Sequence, residues 1–310
     1  MRDKNEIRKI PVYLIKGNDN LISFVPKILN PLLPASLLNK TVLVKPNLLK
    51  GKDILAVTSP WIILECVKLL KEKGAKVIVA DSPAFGTAER VIKQLGIYHQ
   101  LTKLGAKVCT LRRPKKVKIN AINSTVGISE LALKSDLIVN LPRLKAHCQM
   151  GITCGVKNLY GTVVGFRKPL YHMLYGKDRE TFSKLIIEIS QKLPSCITLV
   201  DGSVAMHKKG PTGGEAIKIG LLASSDNPFA VDTAIYEILG ARPNEIPLFA
   251  QGIKLNIPGT TLDELYFPIM HPKDIHLNPP FIIPTVLDPI TFSPLRFLKG
   301  RIKSVIRKIN

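Results

Sequence analysis

From residue 10 to about residue 240 the chain alternates short β-branched apolar runs with stretches whose apolar residues recur every three or four positions. The runs at 10–15, 41–47, 75–83, 106–111, 136–142, 196–202 and 217–224 have the length and Val/Ile content of buried strands. Shorter pieces at 117–120 and 124–129 read as an antiparallel pair. One helix opens with Ser59 as N-cap and Pro60 at its first position, turns Ile62, Ile63, Val67 and Leu70 inward, and stops at Gly74. Thr87 opens a short helix that ends near Gly96. Further helices are expected over 19–33 (interrupted by Pro26), over 177–193 and from Pro228 to Gly240, with Pro243 starting one more.

This alternation predicts an α/β fold, a mostly parallel sheet with helices on both faces, arranged as two lobes around a cleft. The α/β part is expected to fill residues 1–270, with lobes over about 1–135 and 136–270. Seven of the 23 prolines lie from Pro268 onward, so residues 271–310 read as a Pro-rich linker and a basic tail. Within that tail, Leu295, Leu298, Ile302, Val305, Ile306 and Ile309 recur at helical spacing, with cations largely on the other face. Such a segment suits an anionic membrane surface, a groove on a partner, or the protein's own core.

Charge sharpens the picture. With 45 Lys+Arg against 23 Asp+Glu the formal charge is +22, which attracts polyanions and anionic metabolites alike. Aromatic residues make up only 6% of the chain, and no helix-turn-helix, zinc-finger or RNA-binding signature is present. Sequence-specific nucleic-acid binding is therefore not expected; charge alone would give salt-sensitive, sequence-indifferent affinity. Five scattered cysteines do not form a disulfide framework, the first ten residues are charged, and no apolar run approaches the roughly 20 residues of a membrane span. A cytoplasmic chain is expected, and the membrane option for 293–310 would place it peripherally on the inner membrane face.

The chemistry gathers where strands end. Four apolar runs end in polar groups: Lys45 and Asn47; Asp81 and Ser82; Arg143, Lys145 and His147; and Asp201. Parallel sheets place functional groups at the carboxyl ends of their strands, so these four ends suggest one shared site, although Asp and Asn there also make ordinary turns. The segment 141–165 adds Lys157 and Asn158 among Gly151, Gly155, Gly161 and Gly165. Glycines let backbone N–H groups approach an anion and lysines neutralise it, yet neither a Walker A loop nor a dinucleotide fingerprint is present. A divalent ion would suit His147, His172, Asp81 and Asp201, with Asp232 a further carboxylate. Asp232 stands in the apolar helix that Pro228 opens; facing the core it needs a partner, most simply Lys157.

Five ordered pieces carry a resemblance: KPNLL (45–49), TSPWIILECVKLLKEKGAKVIVADSP (58–83), DLIVNLPRLKAHCQMGITCGVKNLYG (136–161), VDGSVAMHKKGPTGG (200–214) and SSDNPFAVDTAIYEILG (224–240). Together they resemble the prokaryotic proteins of the domain of unknown function 362. The resemblance implies a mainly α/β fold and a cleft where the pieces meet. It carries over Lys45, Asn47, Asp81, Ser82, Lys145, His147, Lys157, Asn158, Asp201 and Asp232, with His172 a weaker addition, and it names no substrate. Many members continue into a ferredoxin-like module; this chain has no cysteine after Cys196, so an intrinsic iron–sulfur cluster is not expected. Where the family tends to carry an acidic residue and a glycine, this chain has His207, Lys208 and Lys209, which makes the cleft more cationic.

Three functions follow, in order. The first is an enzyme or cofactor-handling protein that binds an anionic small molecule: Lys45, Lys145 and Lys157 would hold phosphate or carboxylate, with Asn47, Ser82, Asn158 and Asp232 around them. His147 would move a proton, oriented by Asp81 and Asp201. The second, by analogy with the family's architecture, is a non-enzymatic redox or assembly partner of a separate ferredoxin-like protein. Non-specific nucleic-acid binding is the third.

Overall fold

A computed structural model describes residues 9–17, 20–83, 86–164 and 167–287. The amphipathic segment expected over 293–310 lies outside these residues. In chain order the strands are β1 (Ile10–Pro11), β2 (Tyr13–Lys16), β3 (Thr41–Pro46), β4 (Lys76–Asp81), β5 (Lys107–Thr110), β6 (Pro114–Ile119) and β7 (Ser124–Ser129), followed by β8 (Leu137–Leu141), β9 (Arg143–His147), β10 (Gly151–Thr153), β11 (Cys196–His207), β12 (Glu215–Ser225) and β13 (Leu265–Tyr266). The helices are α1 (Val25–Leu29), α2 (Pro60–Glu72), α3 (Ala88–Gln94), α4 (Tyr98–Lys103), α5 (Glu130–Lys134), α6 (Gly155–Leu159), α7 (Arg167–Tyr175), α8 (Arg179–Gln191), α9 (Pro228–Ile238) and α10 (Pro247–Lys254).

Nine strands share one sheet. β8, β3, β4 and β5 lie side by side in parallel, and β11 joins the free edge of β8, also in parallel. Past Pro142 the chain of β8 continues as β9, still alongside β11, and β10 folds back antiparallel on β9. The other edge of β11 pairs antiparallel with β12, and β12 with β2. The sheet is thus mixed, which corrects the expectation of a mostly parallel one. The reason lies in the connections: only residues 208–214 join β11 to β12, and only 148–150 join β9 to β10. Links this short cannot carry the crossover that a parallel pair requires. The division expected near residue 135 falls within this sheet, where β3 pairs directly with β8.

Strand periodicity sorts the core. Val42, Val44, Val77, Val79, Leu137 and Val139 face one layer, which includes α1 to α4; Leu43, Ala80 and Ile138 face the other, with Leu159 and Val164. A third cluster forms under β9 to β12 and α9, and it takes in Ile275 and Phe281 from the Pro-rich segment. That segment therefore packs on the core where it is described, and Arg179 Nη2 donates to the Leu287 carbonyl at 2.7 Å.

Several element ends follow the sequence. Thr87 Oγ1 accepts from Arg90 N, and Asn227 Oδ1 accepts from Phe229 N and Ala230 N to cap α9. Ser59 differs: its hydroxyl makes no cap bond, and its backbone N–H donates instead to Asp201 Oδ2 at 2.8 Å. The glycine-bearing stretch 141–165 contains β9, β10 and α6.

Asp232 is buried on α9, and its partner is not Lys157. Gly155 N donates to its Oδ1 at 2.6 Å and Val156 N to its Oδ2 at 3.0 Å, so the carboxylate closes the N-terminus of α6. Burial pushes its pKa up to about 6, against the hydrogen bonds from Cys154, the two amides and Tyr236, which pull it down. A side chain at 155 would collide with this carboxylate, so Gly155 is required by close approach. Exchanging one acceptor oxygen for an NH2 leaves a buried amide facing a donor. Asp232→Asn is expected to cost about 1–3 kcal/mol in urea unfolding with an unchanged m value; a cost below about 0.5 kcal/mol would show that α6 does not depend on this carboxylate.

Candidate functional site

The parallel strands β3, β4 and β8 end together, and β9 continues past them, so their terminal side chains meet. Lys45, the penultimate residue of β3, is fully buried, and its Nζ lies 2.9 Å from Asp81 Oδ1 at the end of β4. The second oxygen, Asp81 Oδ2, accepts from Leu48 N at 3.0 Å. Three asparagines connect this pair to the next lysine. Asn158 Oδ1 accepts from Asn47 Nδ2 at 3.1 Å and lies 3.5 Å from Lys45 Nζ, while Asn158 Nδ2 donates to Asn140 Oδ1 at 2.8 Å. Asn47 Oδ1 in turn accepts from Lys145 Nζ at 3.0 Å, and the Ala56 carbonyl accepts a second bond from it at 2.8 Å. Lys168, on α7, donates to the Ser82 carbonyl. Gly161 passes so close to the Lys45–Asp81 pair that a Cβ there would meet both Lys45 Nζ and Asp81 Oδ1.

Three amines, Lys45, Lys145 and Lys168, thus act on one enclosed carboxylate, with Lys157 a fourth amine beside them and half-buried Asp53 acting on Lys145 from the edge. Burial pushes the Asp81 carboxyl up, but the charges of Lys45 and Lys168 and the hydrogen bonds from Lys45 and Leu48 outweigh it and hold the group below its usual range. The lysines respond in the opposite sense. Burial, then repulsion from Arg143 and Lys45 against the pull of Asp53 and Asp81, brings Lys145 down to about 7. Burial together with Lys168, Lys145 and Lys45 brings Lys157 down to about 7, and burial brings Lys168 to about 8.

Two imidazoles complete the cluster. His147 ends β9 and His172 lies on α7; their rings stack with centroids 6.2 Å apart. Gln149 links them, its backbone N–H donating to His147 Nδ1 at 3.1 Å and its Oε1 lying 2.6 Å from His172 Nδ1. Gln149 Nε2 donates to the Gly176 carbonyl at 2.9 Å. Burial first, and then the charge of Lys157, pushes both histidines well below the usual imidazole range. Lys157 Nζ lies 4.5 Å from the Tyr160 ring centre and 5.6 Å from that of Phe182; both rings also pack against His172.

Lys45, Asn47, Asp81, Lys145, His147, Lys157, Asn158 and His172 therefore share one cluster, and Ser82 contributes its carbonyl rather than its hydroxyl. Asp201 has another task. It pairs with Arg143 and accepts from Ser59 N, Ser203 N and Ser203 Oγ, tying β9 and β11 to the start of α2. Neither Asp81 nor Asp201 hydrogen-bonds His147, so the expectation that they orient it gives way to Gln149 in that role. Among the described residues no three His, Cys, Asp or Glu side chains gather as metal ligands, so the set His147, His172, Asp81 and Asp201 does not converge. The glycine-rich run directs the Gly155 and Val156 amides at the chain's own Asp232 rather than at an open anion site. Sequence reasoning missed Asn140, Gln149 and Lys168. Asn140 was signalled by a polar residue one place before the end of an apolar strand. Nothing local marked the other two, whose roles depend on how α7 docks.

The family whose members are described as carrying the domain of unknown function 362 matches residues 42–237. A thylakoid-associated protein of Synechocystis sp. is 34% identical over 264 residues, covering 84% of this chain and 82% of that protein. Among solved structures, a protein of Thermotoga maritima aligns with a TM-score of 0.47 at 12% identity, covering 69% of this chain and 57% of its own. The lactate racemase apoprotein of Thermoanaerobacterium thermosaccharolyticum aligns with a TM-score of 0.44 at 14% identity, covering 73% and 56%. The chain thus spans little more than half the length of either solved structure. The matched residues include every member of the buried lysine–asparagine–histidine cluster, and the chain belongs to the domain of unknown function 362 family.

Proposed function

We propose that the protein is an enzyme whose buried lysine cluster binds an anionic small molecule, with His147 moving a proton on it. The observation that supports this reading is charge balance. Lys45, Lys145 and Lys168 face Asp81, Asp53 acts on Lys145 from the edge and Lys157 adds a fourth amine, and burying unmatched ammonium groups is costly. A phosphate or carboxylate between Lys45, Lys145 and Lys168 would supply the missing negative charge and draw Lys145 and Lys168 back toward protonation. The Asn47–Asn158–Asn140 chain keeps Lys45 and Lys145 aligned for such a ligand. His147 would act in its neutral form, since burial and two lysines disfavour its cation.

A second reading concerns location. Leu170, Met173 and Leu174 of α7 are exposed, and Arg179 anchors Leu287 just beyond that helix, from which the sequence runs on to the basic stretch 293–310. No helix among the described residues is long and apolar enough to cross a membrane. The Synechocystis relative is described as thylakoid-associated. We infer peripheral contact with an anionic membrane on this side of the molecule.

Three outcomes are expected. Phosphate or small carboxylates should raise the melting temperature of the wild type, by the linkage that gives about 2.7 kcal/mol at a hundredfold excess over Kd. Lys145→Met should lose that rise; an equal rise in the variant would remove the cluster from the binding site. The pH dependence has a definite sign. Because Lys145 and Lys157 titrate near 7 in the folded chain and near 10.5 when free, ligand-free stability should grow between pH 7 and 10 and be lost as pH falls through 7. Anion affinity should run the other way, weakening by up to about tenfold per pH unit above 7 for each lysine that must be protonated; a flat profile from 6 to 9 would contradict it. Finally, sedimentation with phosphatidylglycerol vesicles should retain the full chain and release one truncated after residue 292, whereas equal retention would rule out the basic tail as the anchor.

A further inference from the structure

Lys157 differs from the other amines of the cluster. Lys45 has the Asp81 carboxylate, Lys145 has Asn47 Oδ1 and the Ala56 carbonyl, and Lys168 has the Ser82 carbonyl. Lys157 Nζ lies instead over the faces of Tyr160 and Phe182, with Cys148 also close enough to act on its charge. Those rings also carry His172, on which His147 stacks, so an amine and two imidazoles share one aromatic enclosure. A lysine built to hold an anion by charge keeps its ammonium hydrogen-bonded. The two ring faces favour the ammonium of Lys157, but burial and the charges of Lys168, Lys145 and Lys45 outweigh them and favour the free amine, whose lone pair is a nucleophile.

We propose that Lys157 is a covalent-catalysis residue that condenses with the carbonyl carbon of a small oxo acid, the oxo acid's carboxylate being the anion that the neighbouring lysines balance. This rests on the anion-binding reading above and names its substrate class. The Nζ lone pair attacks the carbonyl carbon, a C–N bond forms, and the carbonyl oxygen takes a proton to give a carbinolamine. The C–O bond then breaks and water leaves, so that one proton is taken up overall and an iminium remains on Lys157. The iminium draws electrons from the adjacent carbon, and the neutral imidazoles of His147 and His172 lie beside Lys157 to take or return the proton that this releases. The depression of Lys157 to about 7 accords with the role, since a substantial share of the amine is then unprotonated at neutral pH.

The test uses the full chain, glyoxylate and sodium cyanoborohydride at pH 7, with peptide mass spectrometry to locate the secondary amine formed on reduction. Lys157 is expected to be labelled more than about tenfold faster than exposed lysines such as Lys68 and Lys134, because its depressed amine is substantially unprotonated at that pH. Lys157→Met should remove this fast label while leaving the melting temperature at or above the wild-type value, since it deletes a buried charge. Labelling of Lys157 no faster than that of Lys68 overturns the proposal, as does fast labelling that moves to Lys145. Calorimetric titration with glyoxylate in the absence of reductant separates the two levels. Binding without a Lys157 label overturns the imine and leaves the anion site standing; neither binding nor label overturns both.

Discussion

The Lys45–Asp81 ion pair holds the site together, because it is the point where buried charge is first neutralised. It joins the ends of two parallel strands, and Asp81 also fixes the chain after β3 through the Leu48 amide. Removing either partner would strand the other in the interior, the situation that costs most in a buried pair. Around this pair the chain solvates its remaining ammonium groups with neutral oxygens: two asparagine side chains and the carbonyls of Ala56 and Ser82. Each offers a lone pair without adding negative charge, so the site keeps its positive excess in a place water does not easily reach.

A second pair divides the labour. Arg143 and Asp201 face each other across β9 and β11 and neutralise one another, and Asp201 also holds the first turn of α2 through Ser59. This balanced pair braces the strand that carries Lys145 and His147, two and four residues farther on. Asp232 does the same for α6, which carries Lys157 and Asn158. Of the three acids expected at the site, Asp81, Asp201 and Asp232 are all spent on internal donors, while Asp53, which the structure adds, remains half-buried at the edge.

How much of this was legible depended on range. The parallel strands were plain, because β-branched runs such as 41–44 and 76–80 must be buried on both faces, and the residues that follow them were correctly placed at one end of the sheet. The direction of β12 was not plain, since it depends on a link of seven residues that composition alone does not distinguish from a longer excursion. Lys45 and Lys145 were legible as polar groups at the ends of apolar strands, and Lys157 as a lysine within a glycine-rich segment. The partner of Asp232 was not: a carboxylate on an apolar helix signals only that some donor faces it, and two backbone amides, which every residue carries, leave no mark in the side-chain pattern. Lys168 and Gln149 were hidden for a related reason, since both act across segments whose docking is settled by packing.

Gln149 has one more consequence. Its side-chain NH2 is committed to the Gly176 carbonyl, so its Oε1 is the atom toward His172, and His172 Nδ1 must carry the hydrogen there. Its backbone N–H, by contrast, obliges His147 Nδ1 to be bare. The two stacked rings are thereby locked in opposite tautomers: Nε2 of His147 bears a hydrogen and Nε2 of His172 a lone pair. One glutamine thus equips a pair of uncharged rings as acid and base at once, with no need for either to become a cation among the lysines that surround them.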